Sequence, residues 1–162
     1  MIYTLDTNFF VDAKNLHFPL EDGRTREFWD WLQSLGSIRK IAVSEMVYDE
    51  VQKGNDSLAE WMKHNKKVFV QDTMSHISAL PSVLSAYSQG GAEIDEASLE
   101  HLKADPYVIA HAVSLNGCVV SGERPNNATS VIRKKIPSIC KCLDIPCFTL
   151  SRFMWELRST MP

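Results

Sequence analysis

Short apolar segments alternate with longer amphipathic segments along the whole chain, and this alternation constrains the fold more than any other feature. The segments with strand character are residues 1–5, 41–43, 68–70, 118–121 and 146–150. Helical spacing of apolar residues dominates between them. Because strands that alternate with helices form right-handed crossovers, the pattern predicts an α/β fold of three layers, α/β/α, with a central, mainly parallel sheet flanked by helices.

Several of the predicted helices carry start or stop signals. The predicted helices are residues 25–35, 44–54, 58–64, 74–87, 95–102, 105–116 and 152–158. Ser44 is of the residue type that caps a helix N-terminus, and Pro106 is favoured in a first helical turn. The Gly90-Gly91 pair interrupts the helical pattern that precedes it.

Size and composition predict one compact domain over residues 1–162. The chain has 162 residues, of which 44% are hydrophobic and 23% charged, the profile of a globular protein. No apolar run approaches the roughly 20 residues that cross a bilayer. The N-terminus also lacks the features of a secretory signal. We therefore expect a cytoplasmic protein without membrane contact.

Four cysteines are too few for a disulfide scaffold and agree with a reducing compartment. Cys140, Cys142 and Cys147 raise a zinc site as an alternative. No CxxC pair or spaced histidine completes a set of four ligands, however. We expect reduced thiols that are mostly buried.

The charge balance limits how the chain can meet nucleic acid. With 17 Lys and Arg against 20 Asp and Glu, the formal net charge is −3, so the whole molecule is not attracted to a phosphate backbone. Contact with nucleic acid would depend on a local patch. We assign Arg133, Lys134 and Lys135 as candidate substrate-binding residues; the alternative is a solvated helix end.

The acidic residues become informative when they are placed relative to the strands. Ligands of an open parallel sheet bind outside the carboxyl ends of the strands, near the point where the strand order reverses. The acids that follow predicted strands, or lie in the first turns of the next helices, are Asp6, Glu50, Asp105 and Glu123. The neighbours expected to orient them are Thr7, Asn8 and Ser121.

Each of these acids also has an ordinary structural interpretation. Asp6 could cap the helix that begins near Asn8, and Asp105 before Pro106 could serve only as an N-cap. Glu50 could belong to a solvated acidic face, and Glu123 could be a loop acid. Four acids in matching topological positions nevertheless favour a common site.

A cluster of carboxylates predicts a bound dication. Mutual repulsion raises carboxylate pKa values unless a cation neutralises the charge. Oxygen ligands without a supporting histidine or thiol favour Mg²⁺ or Mn²⁺ over zinc. Such ions activate water and stabilise charge at phosphorus, so the expected chemistry is hydrolysis of a phosphodiester bond.

Four motifs resemble those of the PIN-domain family. They are Ile2-Tyr3-Thr4-Leu5-Asp6-Thr7-Asn8-Phe9-Phe10, Val43-Ser44-x-x-Val47-x-x-Glu50-Val51, Ala104-Asp105-Pro106-Tyr107-Val108-Ile109-Ala110 and Val119-Val120-Ser121-Gly122-Glu123. The run Lys135-Ile136-Pro137-x-x-Cys140 also looks like a less-characterised PIN-like bacterial subfamily. Glu123 departs from the pattern, because the family has an aspartate at that place.

The resemblance implies a PIN-like fold, Mg²⁺ or Mn²⁺ bound by Asp6, Glu50, Asp105 and Glu123, and RNA as the substrate. Many bacterial members are VapC-like toxin ribonucleases, which a cognate antitoxin inhibits and which often form homodimers. The expected function is therefore a metal-dependent endoribonuclease acting as the toxin of a type II toxin-antitoxin system. The main alternative is a catalytically silent PIN-like module that binds RNA or protein. A phosphatase or a flap nuclease is less favoured.

Overall fold

The computed structural model describes residues 1–89, 91 and 93–161, and these contain a five-stranded parallel sheet. The strands are β1 (Tyr3–Leu5), β2 (Ile41–Ser44), β3 (Val70–Gln71), β4 (Cys118–Val120) and β5 (Cys147–Phe148). Their spatial order is β3-β2-β1-β4-β5, and every neighbouring pair is parallel. With helices on both sides, this arrangement confirms the predicted three-layer α/β/α fold.

Ten α-helices occur in the described part of the chain. They are α1 (Thr7–Asp12), α2 (Arg26–Ser37), α3 (Glu45–Lys53), α4 (Ser57–His64), α5 (Lys66–Phe69), α6 (Leu80–Tyr87), α7 (Glu96–Leu102), α8 (Asp105–Ser114), α9 (Ile136–Cys142) and α10 (Leu150–Glu156). A π-helical turn at Ala13–His17 extends α1. Four 3-10 segments complete the helical structure: Gly23–Thr25, Thr73–Ala79, Val131–Arg133 and Arg158–Thr160.

The chain reverses its direction of travel across the sheet between β1 and β4. From β1 it adds β2 and then β3 on one side, and later it returns to place β4 and β5 on the other side. β1 therefore lies at the centre and pairs with both β2 and β4. The carboxyl ends of β1 and β4 form the switch point, where an open parallel sheet binds its ligands.

The hydrophobic core is continuous and rich in aromatic side chains. Phe9, Phe10 and Phe153 are buried and pack edge to face. Gly36 allows α2 to approach α5, because a Cβ at this position would lie 2.7 Å from Val68 Cγ1 and 2.8 Å from Phe69 Cδ1. The close packing fixes the helices against the sheet and so fixes the strand ends.

One predicted strand begins two residues later than expected. Residues 68–70 were expected to be extended, but the chain forms α5 and only Val70–Gln71 pairs with β2. The preceding residue Asn65 donates both its backbone N–H and its side-chain amide to the Trp61 carbonyl, at 3.1 and 2.9 Å. The apolar residues Val68 and Phe69 thus contact α2 from a helical turn, and their hydrophobicity serves helix packing.

The helix predicted over residues 74–87 is divided. A 3-10 segment, Thr73–Ala79, precedes α6, which has Pro81 in its first turn. Proline lacks a backbone N–H, so an α-helical hydrogen bond from Pro81 cannot form and a new helix begins there. Of the predicted Gly90-Gly91 interruption, Gly90 lies outside the described residues. Helix α9 was not predicted at all.

Among residues 1–89, 91 and 93–161, no helix combines the length and the apolarity needed to span a membrane.

Candidate functional site

Four separate segments bring carboxylates to the carboxyl edge of the sheet at its switch point. Asp6 follows β1, Glu50 lies on α3 after β2, Asp105 begins α8, and Glu123 follows β4. These four residues are called the acid edge below. A cavity of about 320 Å³ lies here, and its lining consists of Asp6, Thr7, Asn8, Glu50, His101, Leu102, Lys103 and Asp105. Glu123 lines a neighbouring cavity of about 490 Å³ together with Ser121.

Asp6 is the most buried member of the acid edge, with 1% of its surface exposed. Its Oδ1 accepts from the Thr7 backbone N–H at 2.7 Å, so it caps α1 as expected. Its Oδ2 accepts from the Ser121 hydroxyl at 2.8 Å. Burial raises the pKa of Asp6 to about 6, and Glu123 and Glu50 add to the rise, although the Ser121 hydrogen bond opposes it.

Ser121 joins two acids of the acid edge. While its hydroxyl donates to Asp6, its oxygen accepts from the Glu123 backbone N–H at 3.1 Å. The side chain is buried at the end of β4. Ser121 therefore orients the Asp6 carboxylate and also fixes the start of the loop that carries Glu123.

Glu50 has a hydrogen bond to each of its carboxylate oxygens. The Thr7 hydroxyl donates to Oε2 at 2.6 Å, and the Ala104 backbone N–H donates to Oε1 at 3.1 Å. These bonds tie α3 to the end of β1 and to the turn before α8. The prediction that Thr7 assists an acid therefore has a physical basis, with Glu50 as its partner through the hydroxyl.

Asp105 differs from the other three acids because no described residue donates a hydrogen bond to its carboxylate. The expectation that it caps α8 is wrong, since the N-cap residue is Ala104 and Asp105 occupies the first helical position. Burial raises its pKa to about 8, and repulsion from Asp6, Glu123 and Glu50 contributes further. Lys135 partly opposes the rise.

A strained residue precedes Asp105. Lys103 has φ 53° and ψ −122°, in the left-handed half of the map that non-glycine residues rarely adopt. Lys103 lines the cavity, and the next residue, Ala104, gives its N–H to Glu50. Strain of this kind costs about 1–3 kcal/mol and persists where neighbouring contacts enforce it. Here the enforced turn aims the start of α8 at the acid edge.

Glu123 is held by the residues that open α9. Its Oε1 lies 2.6 Å from the Lys135 ammonium, and its Oε2 accepts from the Ile136 backbone N–H at 3.0 Å. The Glu123 side chain is 11% exposed and that of Lys135 is 48% exposed. The ion pair was not foreseen, because the two residues are separated by a loop without a recognisable pattern.

The three predicted substrate-binding residues have different surroundings. The Lys134 ammonium donates to the Tyr87 carbonyl and, at 3.0 Å, to the Gln89 carbonyl, near the end of α6. Arg133 is exposed. Lys135 alone forms an ion pair with the acid edge. The structure thus separates the three residues, which the sequence presents as one basic patch.

Asn8 is exposed at the rim of the cavity. One helical turn later on α1, the Asp12 carboxylate approaches the loop of Glu123, since a Cβ on Gly122 would lie 2.1 Å from Asp12 Oδ2. Gly122 therefore permits this close approach. Sequence reasoning missed Asp12, although its spacing of four residues from Asn8 places both on one helix face.

Asp6 and Asp105 are the two acids of the acid edge that could hold a hard cation. All the acids offer oxygen, the ligand type that Mg²⁺ and Mn²⁺ prefer. Among the described residues, no three His, Cys, Asp or Glu side chains are close enough to surround an ion. Mg²⁺ commonly binds through one or two carboxylates and keeps its waters or takes phosphate oxygens. Asp105 without a hydrogen-bond partner and Asp6 beside it fit that description.

The zinc alternative receives no support from the described residues. Cys118, Cys140, Cys142 and Cys147 are all free thiols, and only Cys118 and Cys140 are fully buried. They do not form a group of metal-binding side chains in the part of the chain that the structure describes.

Comparison with known proteins gives a family match. A family model with the description Domain of unknown function (DUF4411) matches residues 3–161. No curated protein gives a significant match to the chain, and no solved structure does either.

Proposed function

The chain belongs to the DUF4411 family, whose description states no activity, and we propose that it is a metal-dependent endoribonuclease whose active centre is the acid edge. Asp6 and Asp105 would bind Mg²⁺ or Mn²⁺ directly. Glu50 and Glu123, whose oxygens are hydrogen-bonded within the protein, would complete the negative field and hold the neighbouring elements. The resemblance to PIN-domain nucleases supplies RNA as the substrate.

One observation carries the proposal. Asp6, Glu50 and Asp105, from three distant segments, line one cavity where the strand order reverses. Burial, together with repulsion among these acids and Glu123, raises the pKa of Asp6 to about 6 and of Asp105 to about 8. A fold retains such an arrangement at a cost to its stability. A bound dication would offset this cost by stabilising the ionised carboxylates.

The residues of the site have separable tasks in hydrolysis. A bound dication supplies a nucleophile at neutral pH and neutralises charge that develops on the phosphate. Asp6 is oriented by the Thr7 N–H and the Ser121 hydroxyl, so its free lone pairs have a fixed direction. Glu50 keeps the turn before Asp105 in place through Ala104. Asn8 at the rim has an amide available for the substrate.

Two concave surfaces provide room for an RNA strand beside the acid edge. The cavity of about 320 Å³ contains Lys103 and His101 at its border. The cavity of about 490 Å³ lies on the Glu123 side and combines Lys141 and Thr149 with the ring of Phe148. Cationic and aromatic groups of this kind suit phosphates and unpaired bases. An RNA strand laid across both cavities would present a phosphate to Asp6 and Asp105.

The first test is the substitution Asp6→Asn. We expect RNA cleavage in Mn²⁺ or Mg²⁺ buffer to fall by at least about a hundredfold, since one ligand and one charge are lost. The matched control is Asp30→Asn on α2, where the side chain is 63% exposed. Circular dichroism and thermal melting establish that both variants fold. Equal cleavage by Asp6→Asn and the parent protein would refute the assignment of Asp6.

A silent module that binds RNA or protein is the second candidate, and one observation favours it. Among the described residues, no three His, Cys, Asp or Glu side chains are close enough to surround an ion, and each carboxylate oxygen of Asp6, Glu50 and Glu123 already accepts a hydrogen bond. This candidate predicts RNA binding without hydrolysis in any divalent metal. Measurement of binding by fluorescence anisotropy beside cleavage by gel analysis separates the two candidates.

The biological partners are proposed from the resemblance to VapC-like toxins. We propose that a cognate antitoxin binds the chain and inhibits cleavage, and that the chain forms a homodimer in the cytoplasm. Where a small gene adjoins the gene of this chain, co-expression with the protein that it encodes should yield a stable complex with suppressed RNA cleavage. Light scattering of the purified chain measures its oligomeric state. RNA cleavage at an undiminished rate in the presence of that protein would contradict the antitoxin proposal.

A further inference from the structure

The proposed hydrolysis gives no role to the ion pair between Glu123 and Lys135. Glu123 uses both carboxylate oxygens on the start of α9, one on the Lys135 ammonium at 2.6 Å and one on the Ile136 N–H at 3.0 Å. A carboxylate bound in this way is an anchor for the lysine. The ammonium 2.6 Å from this carboxylate would repel a metal ion, whereas the partners of Asp6 are neutral N–H and O–H donors.

The backbone at Lys135 is fixed by several contacts. Pro137 stands in the first turn of α9 and rigidifies it. Asn126 accepts from the Lys135 N–H at 3.4 Å through its side chain, and its backbone carbonyl accepts from the Ser138 hydroxyl at 2.8 Å. The direction of the lysine stem is therefore determined by the fold, while its side chain remains 48% exposed.

The ammonium of Lys135 faces the acid edge from the solvent side. Its pKa is raised by the hydrogen bond to Glu123 and by the charges of Glu123, Asp105 and Asp6. The ammonium of the neighbouring Lys134 donates instead to the carbonyls of Tyr87 and Gln89, near the end of α6. Lys135 thus places a positive charge close to Asp105 and Asp6, where a phosphate bound to a metal ion on these two residues would arrive.

We propose that Lys135 is a catalytic residue that contacts the scissile phosphate, and that Glu123 positions this lysine instead of binding metal. The inference rests on the proposed nuclease function. An anionic phosphate approaching four carboxylates meets repulsion, and a fixed ammonium reduces it. In the transition state the same ammonium stabilises the charge that develops on the phosphate oxygens.

The test combines two single variants with their double variant. Lys135→Met and Glu123→Gln are each compared with Lys135→Met/Glu123→Gln for RNA cleavage and for the Mn²⁺ concentration that gives half of the thermal stabilisation. We expect cleavage to fall by about a hundredfold in all three, because either change removes the positioned charge. Lys135→Arg, which keeps the charge, should recover part of the rate.

The metal measurement distinguishes the two roles of Glu123. Without its lysine partner, Lys135→Met should need the same or less Mn²⁺, since a nearby positive charge is lost. Glu123→Gln should need a few times more, because a negative charge is lost. The charge-neutral double variant should return to within about twofold of the parent if Glu123 is not a ligand.

Three outcomes would overturn the inference. A double variant that still needs about tenfold more Mn²⁺ would make Glu123 a ligand. Cleavage by Lys135→Met at the parental rate would exclude the lysine from the reaction while leaving the nuclease function intact. A parent protein that does not cut RNA in either metal would refute the proposed function and this inference together.

Discussion

Each end of helix α8 carries a titratable side chain with little access to water. The two ends differ in which partner could stabilise that side chain. At its start, Asp105 lines a cavity beside carboxylates from other elements. Further along the same helix, His111 is 1% exposed, and neither ring nitrogen has a partner among the described residues. Its ring centroid is 3.9 Å from that of His76. Both ends carry a polar group that costs stability.

The difference between these ends shows why buried polarity alone does not define a functional site. Burial and the nearby His76 lower the pKa of His111 to about 4, so it is neutral and simply unsatisfied. The start of α8 opens to a cavity, which carboxylates from other segments also line. A cation bound as proposed would stabilise that end, whereas His111 lies between packed helical segments.

The largest expected effect is on cleavage by Asp105→Asn. Loss of this carboxylate should reduce RNA cleavage by about a thousandfold or more, because it is the acid most available to an ion. The same substitution should raise the melting temperature in EDTA at neutral pH, since the fold no longer has to keep a proton on Asp105 that the unfolded chain releases. Destabilisation of the metal-free variant would contradict the comparison drawn between the two ends of α8.

A smaller effect is expected from His111→Leu. Replacement of an unsatisfied buried imidazole by an apolar side chain of similar volume should stabilise the fold by about 1–3 kcal/mol. Cleavage should stay within about twofold of the parent rate. Urea denaturation measures the change, with the exposed His64→Leu on α4 as the control. A clear loss of stability would indicate that the ring nitrogens of His111 are satisfied in solution.

The smallest expected effect, when it is counted per pH unit, is the change of the stability of the fold with pH. Between the ordinary aspartate pKa of about 4 and the folded value of about 8, Asp105 keeps a proton that the unfolded chain has released. Stability contributed by this group therefore falls as pH rises through that window, and levels off above it. His111 acts oppositely between pH 4 and 6.5, because burial lowers its pKa to about 4, and burial lowers the pKa of His76 in the same direction.

Comparison with Asp105→Asn separates these opposing contributions. In EDTA, the variant should exceed the parent in melting temperature by an amount that grows by a few degrees per pH unit from pH 4 to pH 8. Both proteins contain the same histidines, so the histidine contribution cancels in the difference. A difference that is constant across this range would show that the Asp105 carboxyl titrates at its ordinary value.

The sequence predicts the fold and the identity of the acids better than it predicts their states. Asp6 and Glu123 are selected because they follow strands, and Glu50 and Asp105 because they lie near the starts of helices. The carboxyl ends of parallel strands meet at one edge of the sheet. Hydrogen bonding across long separations is invisible at that stage. The bond from Ala104 to Glu50 and the ion pair between Lys135 and Glu123 both depend on tertiary structure.

Local signals also failed where packing decided the outcome. Val68 and Phe69 have residue types that favour a strand. They form a helical turn instead, which packs closely against Gly36 of α2. The sequence Asp105-Pro106 predicts an N-cap at Asp105. After the unusual turn at Lys103, however, Ala104 is the N-cap and Asp105 is the first residue of the helix. Its carboxylate is free for that reason, a property that spacing cannot reveal.

Calorimetric titration with Mn²⁺ at pH 7, in two buffers of different ionisation enthalpy, tests the central claim most directly. Because the Asp105 pKa is about 8 in the metal-free protein, binding should release nearly one proton at pH 7 and almost none at pH 9. Asp105→Asn should lose most of the affinity and the proton release. Absence of Mn²⁺ binding, or unchanged binding by Asp105→Asn, would contradict a metal centre at the acid edge.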